Sequence, residues 1–70
     1  MSDLHARLLA AHAANDTAKL IGLYAEAADT ATDLTAQAFY LTHAYVFALE
    51  VGDSRAAGLH ARLKAMGREE

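Results

Sequence analysis

The sequence contains no cysteine and no proline. Without cysteine, neither a disulfide nor a thiolate metal site can hold the fold together. The β-branched aliphatic residues are few, Ile21, Val46 and Val51, which argues against a sheet. No apolar run approaches the roughly 18–20 residues needed to span a bilayer. The opening residues Met1-Ser2-Asp3-Leu4-His5 lack the basic and apolar regions of a secretory signal, so a cytoplasmic protein without a membrane role is expected. A net charge of −3 gives no reason to expect a polyanionic partner.

What is present is helix-forming and apolar. Hydrophobic residues make up 54% of the chain, which is too many for disorder. Alanine is abundant, and it loses no side-chain entropy in a helix. Seventy residues allow one domain, here taken as 1–70. A single core in so short a chain rarely supplies more than about 3–5 kcal/mol. Self-association is the most economical way to bury more surface.

The apolar spacing predicts an all-α fold of four helices, at about 3–14, 17–28, 33–51 and 54–66. In the first, Leu4, Leu8 and Ala11 share a face that Leu9 widens. Asn15-Asp16 ends it: Asn tolerates the left-handed conformation and Asp16 suits the next N-cap. The second is clearly amphipathic, with Leu20, Ile21, Leu23, Tyr24, Ala27 and Ala28 opposite Lys19, Gly22, Glu26 and Asp29. Asp29-Thr30-Ala31-Thr32-Asp33 is a second break, in which Thr30 or Thr32 can cap the third helix. Gly52-Asp53-Ser54 is the third break, and the last helix carries a narrow stripe of Ala56, Leu59, Leu63 and Met66. Short turns make these helices two antiparallel hairpins.

The third helix is apolar nearly all round. Leu34, Ala38, Leu41, Tyr45 and Leu49 form one face, Phe39 and Val46 a second, and Tyr40, Phe47 and Val51 a third. Only Thr35, Gln37, Thr42, His43 and Glu50 interrupt. Such a helix is either central or at an interface.

The two halves show a faint internal repeat. Asn15-Asp16-Thr17 aligns with Gly52-Asp53-Ser54, Leu4 with Leu41, and Ala11 with Ala48. Tyr24 and Ala27 following Asp16, and Ala38-Phe39-Tyr40 before Ala44-Tyr45, resemble the tetratricopeptide repeat, a helix pair of about 34 residues. Leu20 stands where that family has a small residue, no proline closes either unit, and the third helix is long for it. The resemblance implies protein or peptide binding. A plain four-helix bundle is the alternative architecture.

Chemistry has little support. No two of His5, His12, His43 and His60 lie three or four apart, the spacing that puts two ligands on one helical face. His5 and His12 are separated by about 10 Å along the helix. No Glu-x-x-His motif, nucleophile elbow or phosphate-cradling glycine loop occurs. Neither catalysis nor a cofactor is expected. His43 shares a surface with Phe39, Val46, Phe47 and Glu50, and can reach Glu50 or a partner.

The leading expectation is therefore a protein-interaction module or small adaptor, a homodimer in the simplest case. Its interface would be drawn from Phe39, Tyr40, His43, Phe47, Glu50 and Val51, centred on Phe47. A metal- or small-molecule-binding bundle using His5, His12, His43 and Glu50 is a second possibility. A nucleic-acid contact through Arg55, Arg62, Lys64 and Arg68 is a third, because the turn before the last helix resembles that of a helix-turn-helix.

Overall fold

Each helix boundary has an identifiable cause in the sequence. In the computed structural model, which describes residues 3–67, the elements are α1 (Asp3–Ala13), α2 (Thr17–Thr30), α3 (Leu34–Val51) and α4 (Arg55–Ala65). Asp16 caps α2 by accepting a hydrogen bond from the Lys19 N–H at 3.2 Å. Asp33 caps α3 in the same way from the Ala36 N–H at 3.0 Å. Each carboxylate satisfies a donor that the first helical turn otherwise leaves orphaned.

Helices α1 and α3 stop by the same device. Asn15 at φ 54° and Gly52 at φ 66° take the left-handed conformation. The next N–H then reaches back to a buried alanine: Asp16 to the Ala11 carbonyl at 3.0 Å, and Asp53 to the Ala48 carbonyl at 2.8 Å. This is the Schellman pattern of helix termination. The internal repeat is thus a repeat of turn geometry, with Ala11 and Ala48 at equivalent places.

The second break differs from expectation. Helix α2 continues to Thr30, whose hydroxyl donates to the Ala27 carbonyl of its own helix. Thr30 and Thr32 therefore do not cap α3; Asp33, next to its first turn, does. The Ala31 carbonyl is taken by the Gln37 side-chain amide at 2.7 Å, which folds the connection onto α3.

Backbones approach closely only between consecutive helices, α1 on α2, α2 on α3 and α3 on α4. The result is a pair of helical hairpins laid out as a slab of 32 × 29 × 12 Å. Its main core joins Ile21 and Ala28 of α2 to Leu41, Ala44 and Ala48 of α3 and to Leu59 and Leu63 of α4. A smaller one joins Ala11 to Leu20 and Leu23, with Leu4 and Leu8 packed against it. Tyr24 and Phe47 touch both cores. Among the described residues no polar or charged residue is buried. Leu9, expected to widen the buried stripe of α1, is exposed instead, because α1 packs on one neighbour only.

Candidate protein-interaction surface

The surface begins with the side of α3 that is turned inward. Its buried residues are Ala38, Leu41, Ala44 and Ala48. Three alanines on that side let α2 and α4 come close, and they leave the bulky residues of α3 elsewhere. Leu34 and Leu49, grouped with Ala38 and Leu41 in the sequence, lie outside the core and are exposed. The buried arc is centred between Leu41 and Ala48, and Leu49 is about 100° round from it.

About 120° round the helix from the buried arc runs an exposed stripe of Thr35, Phe39, Thr42, Val46 and Leu49. Phe39 is 56% exposed, Val46 46% and Leu49 56%. Successive members are four, three, four and three residues apart, the spacing of a coiled-coil seam. The helix contains a single Asp, Glu, Lys or Arg, Glu50, which lies beside the stripe. Thr42, at its middle, turns its hydroxyl back to the Ala38 carbonyl at 2.7 Å. That donor is satisfied within the helix and adds no unmet polar group to the face.

Two hollows flank the stripe. The larger, about 450 Å³, is lined by Thr35, Ala38, Phe39, Thr42 and His43. The smaller, about 160 Å³, is lined by Thr42, His43, Val46 and Phe47. Both lie along α3 itself and open to solvent.

The residues expected at the interface divide between two sides. Phe39 is on the exposed stripe and Glu50 is next to it. Val51 is exposed in the last turn, but round the helix from the stripe. Tyr40, His43 and Phe47 are half-buried and belong to an aromatic cluster built on Tyr24. The Tyr24 ring stacks on His43 at 5.1 Å and on Phe47 at 5.9 Å between centroids, with Tyr40 at 6.3 Å. Its hydroxyl lies 3.0 Å from His12 Nε2, and the His12 ring meets Phe47 edge-on. The outward face is therefore centred on Val46 rather than Phe47, because Phe47 is used to join α1, α2 and α3. Val46 and Leu49 complete the stripe; the four-three spacing of Phe39, Thr42, Val46 and Leu49 was the signal in the sequence that identifies them.

His43 does not reach Glu50. Its Nδ1 lies 3.0 Å from the Phe39 carbonyl, and a carbonyl can only accept, so Nδ1 carries the proton. His60 stacks on Tyr45. Among the described residues no group of three or more His, Asp or Glu side chains is placed to hold a metal ion.

The cations of α4 are engaged within the fold. Arg55 pairs with Asp53 at 2.9 Å and donates to the Ala18 carbonyl. Arg62 bridges to Asp29 of α2 at 2.6 Å. Between these arginines, Ile21, Gly22, Ala25, Gly58 and Leu59 line a shallow groove of about 320 Å³. Lys64 is exposed, and Arg68 lies outside the described residues. The basic set expected for nucleic acid is thus partly neutralised by aspartates.

The strongest electrostatic feature is Asp53. Side-chain hydrogen bonds from Arg55, and then the Arg55 backbone N–H, hold its carboxyl down at a pKa of about 2. On the α1–α2 side, Arg7 grips both Glu26 oxygens at 3.2 and 2.8 Å, which lowers the Glu26 pKa in the same way.

The chain matches no protein-family model, no curated protein and no solved structure. Among the described residues no helix is long and apolar enough to cross a membrane.

Proposed function

We propose that this chain is a protein-interaction module that works by helix-to-helix association through the outward face of α3, without a reaction of its own. Its simplest partner is a second copy. The observation that carries this reading is the uncharged stripe of Phe39, Thr42, Val46 and Leu49, three of whose side chains are about half exposed. Large apolar side chains scattered singly over a surface are ordinary, but grouped ones mark places where another surface docks. The likeness of Tyr24-Ala27 and of Ala38 to Tyr45 to tetratricopeptide hairpins, which are binding scaffolds, supports the same class. The proposal keeps the cytoplasmic setting expected from the sequence.

Sedimentation velocity over a range of micromolar concentrations tests it. The wild type is expected to shift from monomer to dimer as concentration rises. Val46→Asp is expected to remain monomeric with an unchanged helical circular dichroism spectrum, because Val46 is outside both cores. A wild type that stays monomeric throughout overturns the reading. Phe47→Asp is unsuitable, since Phe47 packs against both cores and its loss would disturb the fold.

A further inference from the structure

We propose that α1 is a strap that opens as a unit at its hinge, Asn15, while α2, α3 and α4 stay folded beneath it. The opening uncovers Leu20 and Leu23 of α2, which are hidden at rest. It does not rest on the reading of the chain as a self-associating module, since the outward stripe of α3 is made without any α1 residue.

The division of the core carries the inference. The main core takes its buried residues from α2, α3 and α4, and the partly buried side chains packed against it come from those helices and Met66. Among the described residues none of α1 enters it. In the smaller core α1 contributes one buried residue, Ala11. Leu4 and Leu8 pack there only partly covered, and Leu9 faces solvent. α1 also comes close to α2 alone. Lifting it away therefore removes nothing from the main core.

The polar links of α1 are as slight. Arg7 holds Glu26 with side chains that are 39% and 45% exposed, and a pair so open to water contributes little. His12 meets the Tyr24 hydroxyl at the surface. α1 has 11 residues, fewer than the roughly 12–15 below which an isolated helix is marginal in water. It therefore unwinds when it leaves α2.

What stays behind is already built. Asp16 caps α2 with its own side chain, through the Lys19 N–H, and needs nothing from α1. The Tyr24 ring is held by Tyr40, His43 and Phe47 of α3, so the surface under α1 keeps its shape. At the hinge, the positive φ of Asn15 and the bond from the Asp16 N–H to the Ala11 carbonyl belong to the closed form. Segments held by few buried apolar contacts open on their own, at lower free energy than the whole fold. Strap opening is such an event. Closed, it keeps Leu20 and Leu23 at 3% and 5% exposure; open, it presents both to solvent.

The absence of native cysteine lets a single introduced thiol report each opening. Leu23→Cys places one under α1, and Leu41→Cys places one in the main core; both leucines are at most 5% exposed. Each protein is treated with iodoacetamide in native buffer and at rising urea, and alkylation is followed by mass spectrometry. Leu23→Cys is expected to react more than about ten-fold faster, through an opening that exposes little surface and so responds weakly to urea. Leu41→Cys is expected to respond steeply, because it waits for global unfolding. Adding Gly58→Ala, which strengthens α4, is expected to slow Leu41→Cys by about two- to five-fold and to leave Leu23→Cys unchanged. Equal rates with one urea dependence, or equal slowing by Gly58→Ala, overturn the proposal. Where either cysteine variant does not fold, hydrogen exchange of the wild type decides. The amides of α1 are expected to exchange well ahead of those in the middle of α3, and a common protection for both overturns the strap.

Discussion

Asp53 does two things at once. It accepts the Arg55 backbone N–H at 2.8 Å and the Arg55 guanidinium at 2.9 Å, so one carboxylate both starts α4 and fixes the arginine that reaches across to α2. Its pKa is lowered from 3.8 to about 2. A lowered carboxylate pKa stabilises the fold above its unfolded value and loses that contribution as pH falls through the folded value. Asp53→Asn is therefore expected to be less stable than wild type above about pH 4, with the difference vanishing near pH 2; thermal melts across that range measure it. Two glycines give an opposite pair of effects. Gly52 holds a positive φ at the end of α3, where an L-residue costs about 1–2 kcal/mol, so Gly52→Ala is expected to lower the melting temperature. Gly58 is inside α4 with open space where a Cβ would stand. Gly58→Ala is expected to raise stability by roughly 0.5–1 kcal/mol, read by urea denaturation.

Helix α3 shows how far an element can be read from its sequence. Its existence and its stop at Gly52 follow from apolar composition and a C-terminal glycine, whereas its start, for which the sequence suggests a cap at Thr30 or Thr32, is made by Asp33. Which side faces inward does not follow, because apolar residues occur at nearly every angle and periodicity carries no direction. Size decides it: Ala44 and Ala48 are fully buried, and the larger Phe39, Val46 and Leu49 are turned out. Ranking by hydrophobicity favours the large residues for the core, whereas close helix packing favours the small ones. Ala48→Leu tests this directly. Overpacking is expected to cost about 1–3 kcal/mol in chemical denaturation. The inward sides of α2 and α4 were readable, since in each only one side is apolar, although α2 runs on to Thr30 and α4 spans Arg55–Ala65. The packing of Phe47 was not legible because it depends on Tyr24 and His12, residues on other helices that no local pattern connects to it.

At the scale of the whole molecule, α3 is flanked by α2 and α4, which also share the main core through Ile21, Leu59 and Leu63, and one of its sides is left uncovered. Among the described residues none of the other three helices covers that side. Association with a second copy would stabilise the folded state by mass action. The melting temperature of the wild type is accordingly expected to rise with protein concentration, and that of Val46→Asp to be independent of it, as scanning calorimetry would show. The bridges from α4 to α2, Arg62 to Asp29 and Arg55 to the Ala18 carbonyl, lie at the surface, where such pairs contribute about 0–1 kcal/mol. They clasp the slab and do not hold it together.

The packing of each helix on its neighbour in sequence also has a meaning in time. Contacts close along the chain need little loop closure before they form, and chains built from them fold in microseconds to milliseconds. Synthesis proceeds at about 5–20 residues per second. Closing such contacts is thus far faster than delivering the residues that make them. The order in which the helices are delivered is the order in which their contacts can close, α1 with α2 first and α4 on α3 last of the four.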